Sequence, residues 1–368
     1  MAKHEIIYKE LRAEIAAGKY QSSNQLPSEA QLVDRFEVSR PTVARALRDL
    51  QTEGLIKRRA GSGTFINPSS STRSAAPVLG LLVPERGVTE IFEAICGELG
   101  ALARVQGYGV LWGDSPIPFV DRDSSPEHAL LVCQRFIQEG VAGVFFSPME
   151  YGEDKDRVNR ELIELLSQSG IPVVLLDRDV SKFPQRSAFD LVSMDNFNAG
   201  FIIAEHMIRL GCRKLRFIAR PGSATTVDAR LSGIREALTR YEYKPNENLT
   251  AYGDPQDPHF VKQLHAGRSC DGILCANDLT AAQLLTSLSK LNINVPDKVR
   301  VAGIDDVRNA TLFSVPLTTV HQPCQEIANV AFNTMQERIR KPSTPARTIM
   351  LSPRLVVRES CGAYKIKK

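Results

Sequence analysis

From residue 78 to residue 323, short and mostly apolar runs recur, and most of them end in polar residues. The runs are VLGLLVP, GVLWGDS, VAGVFFSP, IPVVLLDR, DLVSMDN, KLRFIAR, DGILCAND, VRVAGIDD and PLTTVHQP. Between them lie stretches such as IFEAICGELGALARVQGY, RVNRELIELLSQSG, AGFIIAEHMIRLG and AAQLLTSLSKLNI, whose apolar residues follow helical spacing. A strand that is apolar on both sides must be covered on both faces, as in a parallel sheet flanked by helices. The runs are too many for one sheet. The predicted fold is therefore α/β, with two doubly wound parallel-sheet lobes.

This pattern does not reach the N-terminus. Composition changes at NPSSSTRSAAP, residues 67–77, where proline, serine and alanine replace apolar periodicity, as in a flexible tether. Three parts follow: a small domain over residues 1–67, a linker over 68–77, and a large domain over 78–360.

In the small domain, Ile7, Leu11 and Ile15 form one helical stripe. Ser28-Glu-Ala-Gln31 fits a capping box that opens a second helix, with Leu32 and Phe36 facing inward. The turn Glu37-Val38-Ser39-Arg40 leads to a third helix with Ser39 as its cap and Pro41 in its first turn. Val43, Leu47 and Leu50 point inward there, which leaves Arg40, Thr42, Arg45 and Arg48 outward. Leu55–Arg59 and Thr64–Ile66 read as two strands joined across Ala60-Gly-Ser-Gly63. The order helix, helix, turn, helix, hairpin is that of a winged helix-turn-helix, whose third helix suits a major groove. Between Arg35 and Arg59 seven basic residues face three acidic ones, a surplus equal to the +4 of the whole chain. Concentrated positive charge of this kind attracts the phosphates of double-stranded DNA. The competing reading is a three-helix protein-interaction module with a solvated charged face.

Residues 4–66, through LPSEAQLVDRFEVSRPTVARALRDLQTEGLIKRRAGSGTFI, resemble the DNA-binding domain of the GntR family of bacterial transcription regulators. The resemblance implies that Ser39, Arg40, Thr42, Arg45 and Arg48 face DNA. It also implies that Arg35 and Ser28 contact phosphate, and that Gly61, Ser62, Gly63 and Thr64 form a wing tip beside the basic Arg58. For Ser28 and Thr42, capping and packing roles stay equally open.

The large domain resembles the effector domain of the LacI/GalR family, itself similar to type I periplasmic sugar-binding proteins, through IPVVLLDR, VSMDNFNAG, ILCANDLTAAQLL, VRVAGIDD and LTTVHQP. The pairing of the two parts is similar to that of arabinose-type repressors. A sugar site needs carboxylates and amides for hydroxyls, arginine for paired donation and an aromatic platform. In an open α/β sheet those groups belong beyond the C-terminal ends of strands. Trp112 and Asp114, Asp177 and Arg178, Asn277, Asp305 and Gln322 all occupy such ends. The resemblance implies Asp177, Arg178, Arg230, Asn277, Asp305 and Gln322 as sugar contacts and Phe92 as the stacking residue. A strand-end Asp or Asn can equally be a helix cap, and Arg230 a salt-bridge partner. Asp195 and Asn196 are read as a structural cap.

Other classes find little footing. There is no GxSxG, no P-loop and no GxGxxG after a strand, so an enzyme is not expected. The seven cysteines form no CxxC and the histidines no HExxH, so neither a metal nor another cofactor is expected, and the thiols read as reduced. No membrane-length apolar run and no secretory leader are evident, which points to the cytoplasm. The expectation is a homodimeric, ligand-responsive regulator, most simply a repressor of sugar-utilisation genes, binding palindromic operator DNA and a sugar or sugar derivative. The alternatives are an enzyme on a doubly wound fold and a sugar-binding transport component. Two features depart from the LacI/GalR pattern: the linker lacks a hinge-helix motif, and Pro84–Glu90 (PERGVTE) is more charged than expected after a first strand.

Overall fold

The computed structural model describes residues 3–16, 19–20, 25–52, 55–59, 63–66, 76–83, 90–113, 126–150, 154–243, 249–265 and 270–365. Gly61, Ser62, Asp114, residues 84–89 and residues 68–75 of the linker lie outside the described residues. The chain divides into two compact units, Met1–Pro77 and Val78–Lys368.

The first unit contains α1 (Lys3–Ala16), α2 (Glu29–Phe36), α3 (Arg40–Thr52), β1 (Ile56–Arg59) and β2 (Gly63–Ile66). The α1 stripe Ile7, Leu11 and Ile15 is buried against Leu32, Val43, Leu47 and Leu50. Both halves of the capping box are present: Gln31 N donates to Ser28 Oγ at 3.3 Å, and Ser28 N donates to Gln31 Oε1 at 2.8 Å. Glu37 ends α2 at φ 48°, a left-handed conformation that turns the chain into α3. The hairpin is antiparallel and pairs Ile56 with Ile66 and Arg59 with Gly63. Gly63 takes φ 112°, where an L side chain is strained.

The second unit opens with β3 (Val78–Leu82), α4 (Glu90–Val105), β4 (Gly109–Trp112), α5 (Pro126–Gln138), β5 (Gly143–Phe146), α6 (Lys155–Ser169), β6 (Val173–Leu176) and β7 (Asp190–Met194). It continues with α7 (Asn196–Arg209), β8 (Leu215–Ala219), α8 (Thr225–Arg240), β9 (Thr250–Tyr252), α9 (Pro258–His265), β10 (Gly272–Cys275), α10 (Asp278–Lys290) and β11 (Arg300–Ala302). Last come β12 (Thr319–His321), α11 (Cys324–Arg340), β13 (Thr348–Leu351) and β14 (Arg354–Val356). One parallel sheet has the order β13-β7-β6-β5-β3-β4, and the other has the order β11-β10-β8-β9. Each defines a lobe. β5 and β6 are buried at every position, as two-sided cover by helices requires.

The chain changes lobe after β7 and after β12, and returns once more through β13 to β14, which pairs antiparallel with β12. These crossings bring the strand ends of both lobes to one cleft. In the second lobe α7 and α8 touch almost backbone to backbone. A Cβ on Gly200 would lie 1.9 Å from the Arg230 carbonyl oxygen, and one on Gly233 would lie 1.9 Å from that of Phe197.

Candidate functional site

In the first unit α3 leaves Arg40, Arg45 and Arg48 exposed while Val43, Ala46, Leu47 and Leu50 are buried. Glu29 pairs with Arg40 at 3.5 Å and also with Arg58, which ties the start of the third helix to the hairpin. Ser39 Oγ lies 2.8 Å from Thr42 Oγ1, so the two hydroxyls engage each other. Ser28 is occupied as a helix cap. Two residues differ from their expected roles. Thr64 is buried, because β2 faces Leu26 there and the Thr64 carbonyl accepts from Leu26 N at 2.9 Å. Arg35 bridges to α1: its guanidinium reaches Glu10 at 2.6 Å and Glu14 at 2.7 Å, and lies near Tyr20 Oη at 3.5 Å. That pairing holds the Glu14 carboxyl down at about 2. Arg35 thus fastens α2 to α1, with only part of its side chain left toward solvent.

In the second unit, five of the nine residues expected at the ligand site form one buried polar network. Arg178 donates from Nε to Asp177 at 3.1 Å and lies 3.0 Å, through Nη1, from Glu150. Gln322 donates from Nε2 to Asp177 at 3.1 Å, so the end of β12 reaches the end of β6. Across the cleft Arg230 lies 3.5 Å from Asp305, donates to Asn196 Oδ1 at 2.8 Å and to the Ala276 carbonyl at 2.5 Å. Asn196 continues to Ser193 Oγ at 3.3 Å, and Ser193 donates to the Asp177 carbonyl at 2.5 Å, which closes the chain of bonds between the lobes.

Asp177 and Asp305 sit at φ 67° and φ 134°, conformations that cost non-glycine residues roughly 1–3 kcal/mol and that concentrate at functional sites. Gln322 Oε1 is buried with no hydrogen-bond partner among the described residues. A buried acceptor without a donor is costly in a resting fold and natural in a site that receives one. Burial drives the Asp305 carboxyl well above the usual carboxylate range; Arg230 opposes this, and Asp278, Asp177 and Glu150 add to it.

Of the remaining four, Asp114 lies outside the described residues, and the other three make contacts of their own. Asn277 caps α10, accepting from Thr280 N at 2.8 Å. Phe92 is 1 % exposed, and the Arg178 guanidinium lies over its ring at 5.2 Å, so it offers no open face for stacking. Trp112, on the edge strand β4, packs its ring against Gly100 of α4. Asp195 does cap α7, as read, whereas Asn196 belongs to the network. Glu150, Ser193 and Asn196 were not among the expected contacts. Glu150 lies a few residues beyond β5, where the strand-end rule would have found it.

Among the described residues, two contacts join the lobes at the rim. Glu90 of α4 accepts from Arg308 N at 2.8 Å and from Asn309 Nδ2 at 2.9 Å. Lys155, opening α6, donates to the carbonyls of Gly222 and Ser223 in the turn before α8.

Residues 3–66 match the model of bacterial regulatory proteins of the gntR family, and residues 204–361 match that of the periplasmic binding protein-like domain. The first unit thus carries a gntR-type domain, and the second a periplasmic-binding-protein-like domain over residues 204–361. Both resemblances read from the sequence hold. Among similar proteins, the arabinose metabolism transcriptional repressor of Geobacillus stearothermophilus is 26% identical over 372 residues, covering 98% of each chain. The transcriptional repressor PurR of Edwardsiella ictaluri is 30% identical over 229 residues, 61% of this chain and 64% of that protein. A solved complex of the transcriptional regulator CelR with cellobiose superposes with a TM-score of 0.66 at 22% identity, covering 88% of this chain and 91% of that one. Among the described residues no helix is long and apolar enough to cross a membrane, and no group of His, Cys, Asp and Glu is arranged to hold a metal ion.

Proposed function

We propose that this chain is a transcriptional repressor whose hold on operator DNA responds to a sugar or sugar derivative bound between the two lobes of its body. The repressor reading draws on the named relatives, and the sugar on the cellobiose complex of a protein sharing the fold. Residues 1–67 read DNA through Arg40, Arg45 and Arg48, with Arg58 and the hairpin tip beside them. Residues 68–77 act as a tether. Residues 78–360 bind the ligand and pair two copies over a palindromic site, in the cytoplasm and without catalysis.

One observation carries the ligand reading: the ends of β6 and β7, the loop before α10 and the end of β12 converge in a single buried hydrogen-bonded network that includes an acceptor in need of a donor. Hydroxyls meet that need, because each can both donate and accept. Closure of the lobes on a ligand shifts the population of body conformations, and differential affinity of several kcal/mol changes DNA occupancy substantially.

Electrophoretic mobility shifts on the gene's own upstream region, across a salt series with and without free sugars, test the proposal. Steeply salt-dependent binding that a sugar modulates is expected. Binding that ignores both salt and sugars would sink it.

A further inference from the structure

Three carboxylates, Glu150, Asp177 and Asp305, share the cleft with two guanidiniums, Arg178 and Arg230. The side chains are 8%, 3% and 5% exposed for the acids and 4% and 5% for the arginines, so all five interact through protein more than through water. Their formal balance is negative. Asp278 lies behind Asp305, buried, and adds a further acid. The Cys324 thiol, at the start of α11, senses the same field: burial first, then Asp305 and Asp177, push it up to about 12.

An arginine in a cleft is ordinarily the natural partner of an anionic ligand, through two parallel N–H donors. Here each already faces protein acceptors. Arg178 spends Nε on Asp177 and Nη1 on Glu150, and its face lies over Phe92. Arg230 spends Nε on Asn196, Nη1 on Ala276 and Nη2 on Asp305. Among the described residues, the cleft also offers acceptor capacity: carboxylate oxygens and Gln322 Oε1, which has no partner among those residues. Acceptors call for donors.

We propose that Glu150 sets the charge class of the ligand: by occupying Arg178 and adding a third carboxylate, it makes the cleft select an uncharged polyol and reject the phosphorylated or carboxylated form of the same sugar. This rests on the reading of the cleft as a polyol site and narrows it. Removing the Glu150 charge leaves Asp177 and Asp305 against the two arginines, with Asp278 behind them, and frees one donor of Arg178. An anion then gains a partner that the wild type withholds.

The test measures binding by thermal shift and calorimetry on the full chain. The probes are D-ribose, L-arabinose, D-xylose, D-glucose, D-galactose and cellobiose, with the phosphate monoesters of the monosaccharides. In the wild type the free sugar is expected to bind at least about tenfold more tightly than its own phosphate ester. In Glu150→Gln that ratio is expected to fall by about tenfold, with operator binding retained as the check on folding. Glu150→Ala serves as a second variant, and a narrowed ratio in either supports the assignment. A phosphate ester that binds the wild type as tightly as its free sugar overturns the proposal and leaves the polyol site standing. A ratio unmoved in both variants overturns the role of Glu150. No response to any probe, with operator binding intact, removes the polyol site itself and the proposal with it.

Discussion

Gly200 of α7 faces the backbone of Arg230 in α8 so closely that a Cβ would lie 1.9 Å from the Arg230 carbonyl oxygen and 2.9 Å from its Cα. Neither atom is the far end of a flexible side chain, so neither can step aside cheaply. The contact sets the depth at which α8 delivers its guanidinium to Asp305, Asn196 and the Ala276 carbonyl. Gly200→Ala is expected to separate the helices and cost about 1–3 kcal/mol of stability. It should also weaken ligand binding by displacing Arg230. Denaturant unfolding and ligand titration of the same variant read both effects, and a variant that unfolds and binds like the wild type would dissociate the glycine from the site.

Arg230→Ala removes the cation from the side of Asp305, whose carboxylate is 5 % exposed. Breaking a buried pair from one side typically costs about 3–5 kcal/mol, because the remaining charge is left without compensation. The pair here is long, at 3.5 Å, and the Asp305 carboxyl already sits well above its usual range through burial. The expected loss therefore lies at the low end, about 3 kcal/mol. The loss should shrink in the double variant with Asp305→Asn, which removes the orphaned acid. A double-mutant cycle by urea unfolding checks this.

The rim contacts hold the lobes together at two separate places. Losing either Glu90 at Arg308 and Asn309, or Lys155 at Gly222 and Ser223, should reduce the fraction of molecules in the closed arrangement. Apparent ligand affinity scales with that fraction. Glu90→Ala and Lys155→Ala are each expected to weaken ligand binding a few-fold, with operator affinity in the absence of ligand little changed. Calorimetric titration on each variant measures it.

Much of this organisation was legible from the residues, and the reasons for success and failure are physical. VVLL and GVFF are short apolar runs flanked by proline or glycine, as strands covered on both sides are, and SEAQ fits a capping box that opens a helix. β13 was not legible. Its apolar run is only Ile349-Met350-Leu351, its residues alternate exposed and half-buried at the edge of the first sheet, and its return to that sheet is a matter of topology. The short β9 and α9, between more conspicuous apolar runs, were passed over too, as was α11 after the last of them. At the site, chain position identified Asp177, Arg178, Asp305 and Gln322 as strand-end residues. Position alone could not say that Asn277 spends its side chain on a helix cap, or that Phe92 would be covered by Arg178. The Asn277 cap is a local choice, three residues along the chain, whereas tertiary packing decides the cover over Phe92.

In the head, the exposed arginines of α3 and the bridging Arg35 should behave differently on substitution. Arg45→Ala and Arg48→Ala remove exposed charges, so each is expected to weaken operator binding and to lower the magnitude of the salt slope by about 1 if it meets a phosphate, with melting temperature nearly unchanged. Filter binding across a salt series separates these variants from Arg35→Ala, whose main effect should be on unfolding.

The pH dependence of the head follows from the same bridge. Arg35 beside Glu14 holds that carboxyl at about 2, below its ordinary value of 4.5, with Lys19 and Tyr20 adding hydrogen bonds. A carboxyl depressed in the folded state binds fewer protons there than in the unfolded chain, so stability rises with pH across the interval between the two values. The contribution is therefore fully present above about 4.5 and is lost as pH falls toward 2. Arg35 is about one-third exposed, so solvent screening holds the contribution to about 1 kcal/mol. Glu14→Gln should flatten the acid limb of the head's unfolding profile while leaving the body's profile in place. Arg35→Met should do the same by returning the Glu14 carboxyl toward its ordinary value. Urea midpoints at pH 2.5, 3.5, 4.5 and 7 on the three proteins check the argument, and parallel profiles for wild type and Glu14→Gln would show that the bridge does not couple folding to protonation.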